Sequence, residues 1–332
     1  MKVLAVIPFP PPVTGLTVAS AEALRGLQST PGTQVAVLSF RRSGAQWLEL
    51  PELVRWADVV YLVASAGWGA WRDLMIAGAC GKSATPLVVH IHSRSYARQH
   101  AVDRLGRSMR RAKALGVGLT VRHAQSLYAM FESVAVVPNF ASPTAKTPYP
   151  ETTESSTLRV LYLSNLMREK GYRSLVEAVE ALHRGGARIH LDVAGAGKSA
   201  DVRWMRTKEG EVVAYHGFAD LAKQEGLFSR NQLFALPSSY RNETVPLTAL
   251  DAAAHGLAVA ASTSNYLADV LEGVIALPAE AEGIAAVLRQ LIDDPSIVRD
   301  SARRGRDSVA RLRVSSFHQT LVDTLAGWCN ST

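Results

Sequence analysis

A lysine followed by glycine, two acids eight positions apart and two histidines separated by one residue have types and spacing suited to chemistry. Lys170-Gly171 closes the stretch Leu163-Ser164-Asn165-Leu166-Met167-Arg168-Glu169-Lys170-Gly171, which leads from a strand pattern into a helical one. Its ammonium is therefore expected near a helix N-terminus, where free backbone N–H groups and a cation make an anion site suited to a diphosphate. A solvated surface lysine is the plainer reading of the same residue. Glu243 and Asp251 stand as acid, seven residues, acid inside a segment running from Pro237 to Gly256. There a helix is expected to start at Pro246 and stop at Gly256, with Glu243 just ahead of it and Asp251 within it. A carboxylate so placed also serves as a simple helix cap, worth a few tenths to about 1 kcal/mol. His90-Ile91-His92 lacks neighbouring ligands and the chain has no Asp-x-Asp, so no metal is expected.

These residues must be positioned by the elements around them. Short β-branched runs alternate with longer helical patterns, the signature of βαβ units and parallel sheets. In the first half the strands are predicted at 3–7, 34–38, 59–63, 87–92, 117–121 and 134–137, with helices between them. Pro138, Pro143, Pro148 and Pro150 then interleave with Thr, Ser and Glu, as expected of a linker. The pattern restarts at 159–163 and continues at 189–194, 212–215, 233–236, 258–261 and 274–277. The expected domains are 1–141, a linker 142–157, and 158–312. A C-terminal helix over 313–332, striped by Phe317, Leu321, Leu325 and Trp328, is expected to pack back on the first domain. The fold class read from this is α/β, with two Rossmann-like domains facing each other across a cleft at the carboxyl ends of their strands.

Length and composition agree. At roughly 150 residues per domain, 332 residues make about two domains, and 48% apolar with 20% charged residues excludes a disordered or collagenous chain. Cys80 and Cys329 are too few for a disulfide framework, which fits a reducing compartment and predicts a cytoplasmic location. The segment Met1-Lys2-Val3-Leu4-Ala5-Val6-Ile7-Pro8 reads as a first strand rather than a leader. The longest uncharged apolar stretch, 59–71, is too short to span about 30 Å of hydrocarbon.

Of the net charge of +7, residues 1–141 carry +8, from 15 basic and 7 acidic side chains. Seven basic residues between Arg94 and Lys113 face one acid, Asp103, which fits an anionic surface or substrate as well as a solvated helix face. Trp47, Trp56, Trp68 and Trp71 fall in the same half, where most are expected to be core and some to meet an acceptor or an interface. Together these features point to a peripheral position on the inner face of a membrane and a lipid-linked acceptor. The charge would also suit nucleic acid, but no recognition motif accompanies it and none is expected as a partner. Gly195-Ala196-Gly197 is too short for a dinucleotide fingerprint, and the loop after Ile7 is proline-rich, which argues against an NAD enzyme.

Taken together, the strand Val3–Ile7, Gly15, Lys170-Gly171, Gly195-Ala196-Gly197 and the pair Glu243 and Asp251 resemble, in this order over nearly the whole chain, the retaining, nucleotide-sugar-dependent glycosyltransferases of family 4, which have the GT-B fold. The resemblance implies a metal-independent transferase without a cofactor, moving a sugar from a UDP- or GDP-sugar to a sugar or lipid-linked acceptor or a growing polysaccharide. It implies that Lys170 binds the donor diphosphate, Glu243 the donor-sugar hydroxyls and Asp251 the ribose. Gly15 lets backbone approach the phosphate, and His92 stands beside the donor sugar. His92, Lys170 and Glu243 are thus the expected catalytic residues, and Gly15, Asn165, Arg168, Lys170, Glu243 and Asp251 the expected donor-binding ones. The family's clamp arginine falls on Asn165, with Arg168 in the same loop, its second glutamate on Asp251, and its paired glycines on Gly15-Leu16. These swaps keep a second reading open, a catalytically impaired nucleotide-sugar-binding or scaffolding subunit of the same fold.

Overall fold

Runs of Val, Ile, Leu and Ala that are apolar at every position belong in parallel sheets covered on both faces, and the strands here are of that kind. The structure, a computed structural model, describes residues 1–9, 13–39, 45–64, 69–142 and 157–331. Trp68 and the expected linker, apart from Ser142 and Thr157, lie outside the described residues. The chain divides into two compact units, one of residues 1–140 with 312–332 and one of residues 141–311.

Unit 1 contains β1 (Lys2–Ile7), β2 (Gln34–Ser39), β3 (Val59–Val63), β4 (Leu87–His90), β5 (Leu115–Gly118) and β6 (Ser133–Val136). They pair in parallel in the order β2-β1-β3-β4-β5-β6, with Ala5 opposite both Val37 and Tyr61. Strand order reverses after β2, so the carboxyl ends of β1 and β3 flank the switch point of this sheet. Right-handed crossovers put the helices Leu50–Trp56, Ala70–Ser83 and Arg104–Arg111 on one face. The other face carries Gly15–Ser29, packed against the C-terminal helix Val314–Ser331. That helix buries Phe317, Leu321 and Leu325, with the Phe317 ring 4.8 Å from that of Phe140. His318 donates its Nε2–H to the Glu22 carboxylate at 2.8 Å, and its ring lies 2.5 Å from where a Cβ on Gly26 would be.

The fifth strand differs from expectation: it runs 115–118 rather than 117–121. Thr120 ends the extended segment by capping the helix Val121–Leu127, its hydroxyl accepting the His123 N–H at 3.0 Å. The fourth strand likewise stops at His90, two residues early.

Unit 2 contains β7 (Leu158–Leu163), β8 (Ile189–Ala194), β9 (Val213–Tyr215), β10 (Leu233–Leu236), β11 (Ala258–Ala261) and β12 (Ile275–Ala276). The order is β12-β11-β10-β7-β8-β9, all parallel, so its switch point lies between β7 and β10. Asp192, in the middle of β8, is buried and accepts from Arg230 (2.8 and 3.0 Å) and Asn231 (2.9 Å), with His216 2.7 Å away. Burial alone would raise its carboxyl; these partners together overcome that and hold it down to about 2. Among the described residues no helix is long and apolar enough to cross a membrane.

Candidate active site

The strand order of unit 2 sets the loops after β7 and β10 side by side at the carboxyl edge of the sheet. The loop after β7 makes a short 3-10 turn, Arg168–Lys170, and enters the helix Tyr172–Arg184 through Gly171. Gly171 has φ +78°, and a Cβ on it would lie 2.3 Å from the Pro237 carbonyl oxygen. Glycine is thus required twice over at this position, for its left-handed backbone and for the close approach of the β10 loop. The Ser239 N–H donates to the Glu169 carbonyl at 2.8 Å and fastens one loop to the other.

This brings the Lys170 ammonium onto the Glu243 carboxylate in an ion pair whose side chains are 14% and 10% exposed. Ser238 donates its hydroxyl to the same carboxylate oxygen at 3.3 Å, and the Tyr240 ring centroid lies 5.5 Å from Nζ. The Glu243 N–H closes a turn on the Tyr240 carbonyl at 3.0 Å. The helix Leu247–Ala254 begins after Pro246 without a side-chain cap, so simple capping does not account for Glu243. Beneath the pair, Tyr162 donates its hydroxyl to the Asn165 carbonyl at 3.0 Å. Burial first, and then the nearby Glu243 charge, push that phenol well above its ordinary range.

Gly195-Ala196-Gly197 braces this loop from the other side. The Leu166 N–H donates to the Ala196 carbonyl at 2.7 Å, and a Cβ on Gly195 or Gly197 would lie 1.8 Å from the Ser164 oxygen or 2.6 Å from the Leu166 Cβ. Asn165 and Arg168 are exposed on the same loop, Arg168 near Asp201. Asp251, partly buried on the helix Leu247–Ala254, accepts the Ser142 N–H at 2.7 Å. Burial pushes its carboxyl up to about 6 against the pull of the Ser142 hydrogen bonds.

The remaining expected residues lie in unit 1. Gly15 is the exposed first residue of its helix, capped by Thr14, at the carboxyl edge beside the switch point. His92 follows β4, its ring 4.4 Å from that of His90, which in turn shares a 2.8 Å hydrogen bond with the Tyr61 hydroxyl. Burial and then His123 take His92 down to about 3, and burial takes His123 to about 4. His123 Nδ1 accepts the Leu119 N–H at 3.1 Å. The cluster is therefore neutral at ordinary pH. Trp47 and Trp56 are partly buried against the core, whereas Trp71 is exposed.

Tyr240, Ser238 and Tyr162 escaped the sequence reading of the site. The first two stood in the segment already singled out and could have been taken from it; Tyr162 and His123 show their role only through packing.

Residues 157–294 match the family model described as glycosyl transferases group 1. The match lies within unit 2. Among curated relatives, a glycogen synthase of Mycobacterium tuberculosis (strain CDC 1551 / Oshkosh) is 30% identical over 154 residues, 44% of this chain. The matched part is only 37% of that relative's length. Among solved structures, Anabaena HepE, crystallised with UDP and glucose, superposes with a TM-score of 0.73 at 16% identity, covering 98% of this chain and 100% of its own. A glycosyltransferase of Rickettsia africae gives 0.73 at 12% identity over 100% and 99%. The UDP-forming α,α-trehalose-phosphate synthase of Burkholderia xenovorans, solved with glucose-6-phosphate, gives 0.69 at 11% over 98% and 99%. The fold of the chain is accordingly GT-B, with two Rossmann-like domains.

Proposed function

We propose that this protein transfers a sugar, with retention of configuration and without a metal, from a UDP- or GDP-sugar to a sugar or lipid-linked acceptor, as a family 4 enzyme. The observation that carries the proposal is the meeting of the Lys170 ammonium and the Glu243 carboxylate at the switch point of a sheet matched to a glycosyltransferase family. Breaking a sugar–diphosphate bond builds negative charge on the leaving oxygen and positive charge at the anomeric carbon. Pre-placed cations and N–H donors stabilise that charge separation, and a donor that parts the ion pair would take Lys170 on its diphosphate and Glu243 on its sugar hydroxyls. In this reading Asp251 faces the ribose and Asn165 and Arg168 border the diphosphate; Gly15 and His92 are the residues of unit 1 proposed to serve the donor. HepE, crystallised with UDP and glucose, and the UDP-forming synthase support a UDP-sugar as the first donor to try.

The test is nucleotide release from a panel of UDP-, GDP- and ADP-sugars. At least a 100-fold loss of release is expected on Lys170→Ala or Glu243→Ala, given that aligned electrostatic stabilisation is worth about 3 kcal/mol or more. Variants as active as the wild type would reject these roles. A second reading, a subunit that binds donor without turning it over, draws on the exposed Asn165 at the clamp position. Donor affinity measured by calorimetry, with no release against any acceptor extract, would favour it.

A further inference from the structure

On one face of the unit 1 sheet two neighbouring helices turn outward surfaces of opposite character. Ala70–Ser83 buries Ile76, Ala77 and Cys80, while Trp71 and Met75, one turn apart, are 53% and 41% exposed. Trp47 lies against Trp71 with ring centroids 6.3 Å apart, and Leu48 beside it is 83% exposed. Arg104–Arg111 packs against Ala70–Ser83, buries Leu105 and Met109, and leaves Arg104, Arg107 and Arg111 exposed at the i, i+3, i+7 positions of one stripe. Asp103, the one acid in this stretch, caps the helix by accepting the Leu105 and Gly106 N–H groups (2.8 and 3.1 Å) and lies 2.7 Å from His100. Arg110 turns inward, onto the carbonyls of Ala101 (3.0 Å) and Met130 (3.5 Å), so the stripe keeps three guanidinium groups at the surface.

Large apolar side chains beside a basic stripe match the two layers of a bilayer surface, acyl chains below and lipid phosphates at the rim. The ridge alone would suit a protein partner as well; the arginines beside it select an anionic rim. We propose that this face of unit 1 binds an anionic lipid bilayer, with Leu48, Trp71 and Met75 inserted and Arg104, Arg107 and Arg111 at the phosphates.

The test is flotation of the full chain with phosphatidylcholine vesicles, with and without phosphatidylglycerol, at low and high salt. Binding is expected only with phosphatidylglycerol and should weaken with salt. Arg104→Gln/Arg107→Gln/Arg111→Gln should lose about 100-fold in partitioning, at about fivefold per charge. Trp71→Ser/Met75→Ser should lose about tenfold or more and keep its salt dependence. Unchanged melting temperatures are expected, because the altered side chains are exposed. Equal binding to neutral vesicles, no binding to either, or binding indifferent to Trp71 and Met75 would overturn the proposal. So would a concentration-dependent dimer abolished by Trp71→Ser, which would make the ridge a contact between copies. Flotation needs neither donor nor transfer, so its failure leaves the proposed reaction untouched.

Discussion

At Lys170 and Glu243 one contact serves two ends, and the two can be separated. A largely buried ion pair stripped of one partner leaves the other charge uncompensated, which costs on the order of 3–5 kcal/mol, whereas replacing both by apolar side chains is often close to neutral. Lys170→Met should therefore lower stability in urea unfolding by a few kcal/mol, and Lys170→Met/Glu243→Leu should recover most of it. If transfer fails in the stable double variant, the loss belongs to the site rather than to folding. If the double variant is as unstable as the single one, the pair is not the isolated, substitutable contact described by its geometry. Tyr240, with its ring 5.5 Å from Nζ, and Ser238 hold the two charges in place without carrying charge themselves.

Among the elements, the turn at Gly171 decides whether the β7 and β10 loops meet. An alanine there would combine left-handed strain with a Cβ 2.3 Å from the Pro237 oxygen, a backbone atom that cannot turn aside. Gly171→Ala is expected to destabilise unit 2 by at least ~2 kcal/mol, visible as a fall in urea midpoint, while Gly186→Ala, at φ +81° with open space around it, should cost about 1 kcal/mol. Equal effects at the two glycines would mean that close approach to Pro237 is unimportant. Gly195 and Gly197 act on the same loop from β8, so the short Gly-x-Gly belongs to the packing of the site and not to a dinucleotide fingerprint.

Across the molecule, pH between about 4 and 7 acts on His92 and His123 of unit 1 and on Asp251 of unit 2 with opposite sign. His92 and His123 are held below their ordinary value in the folded chain, so the unfolded chain takes up more protons as pH falls from about 6.5 towards 3. Unit 1 should lose stability over that range. Asp251 is raised to about 6, so in unit 2 it is the folded chain that holds the proton between about 4 and 6, and its contribution falls as pH rises through that window. Thermal unfolding between pH 4 and 7 should show the acid-side loss flattened by His92→Gln/His123→Gln and steepened by Asp251→Asn. Identical profiles for all three proteins would remove both groups from the account.

Strand positions were legible along the chain because parallel strands covered on both faces are apolar throughout: 59–63, 189–194, 233–236 and 258–261 fall where they were predicted. Lys170-Gly171, Glu243 and Asp251 stood out along the chain because a glycine turn into a helix and a helix start after Pro246 each have a local residue signature. The fifth strand was misplaced because Thr120, which reads as a strand residue, acts as a cap once His123 N–H reaches its hydroxyl. Local patterning along the chain sets the alternation of elements and the residues at their carboxyl ends. Folding adds that β7 and β10 are neighbours, that Lys170 therefore meets Glu243 across 73 positions, and that Asp251 is tied to Ser142. Periodicity and capping are short-range properties, whereas strand order, and with it which loops share an edge, is settled by long-range packing.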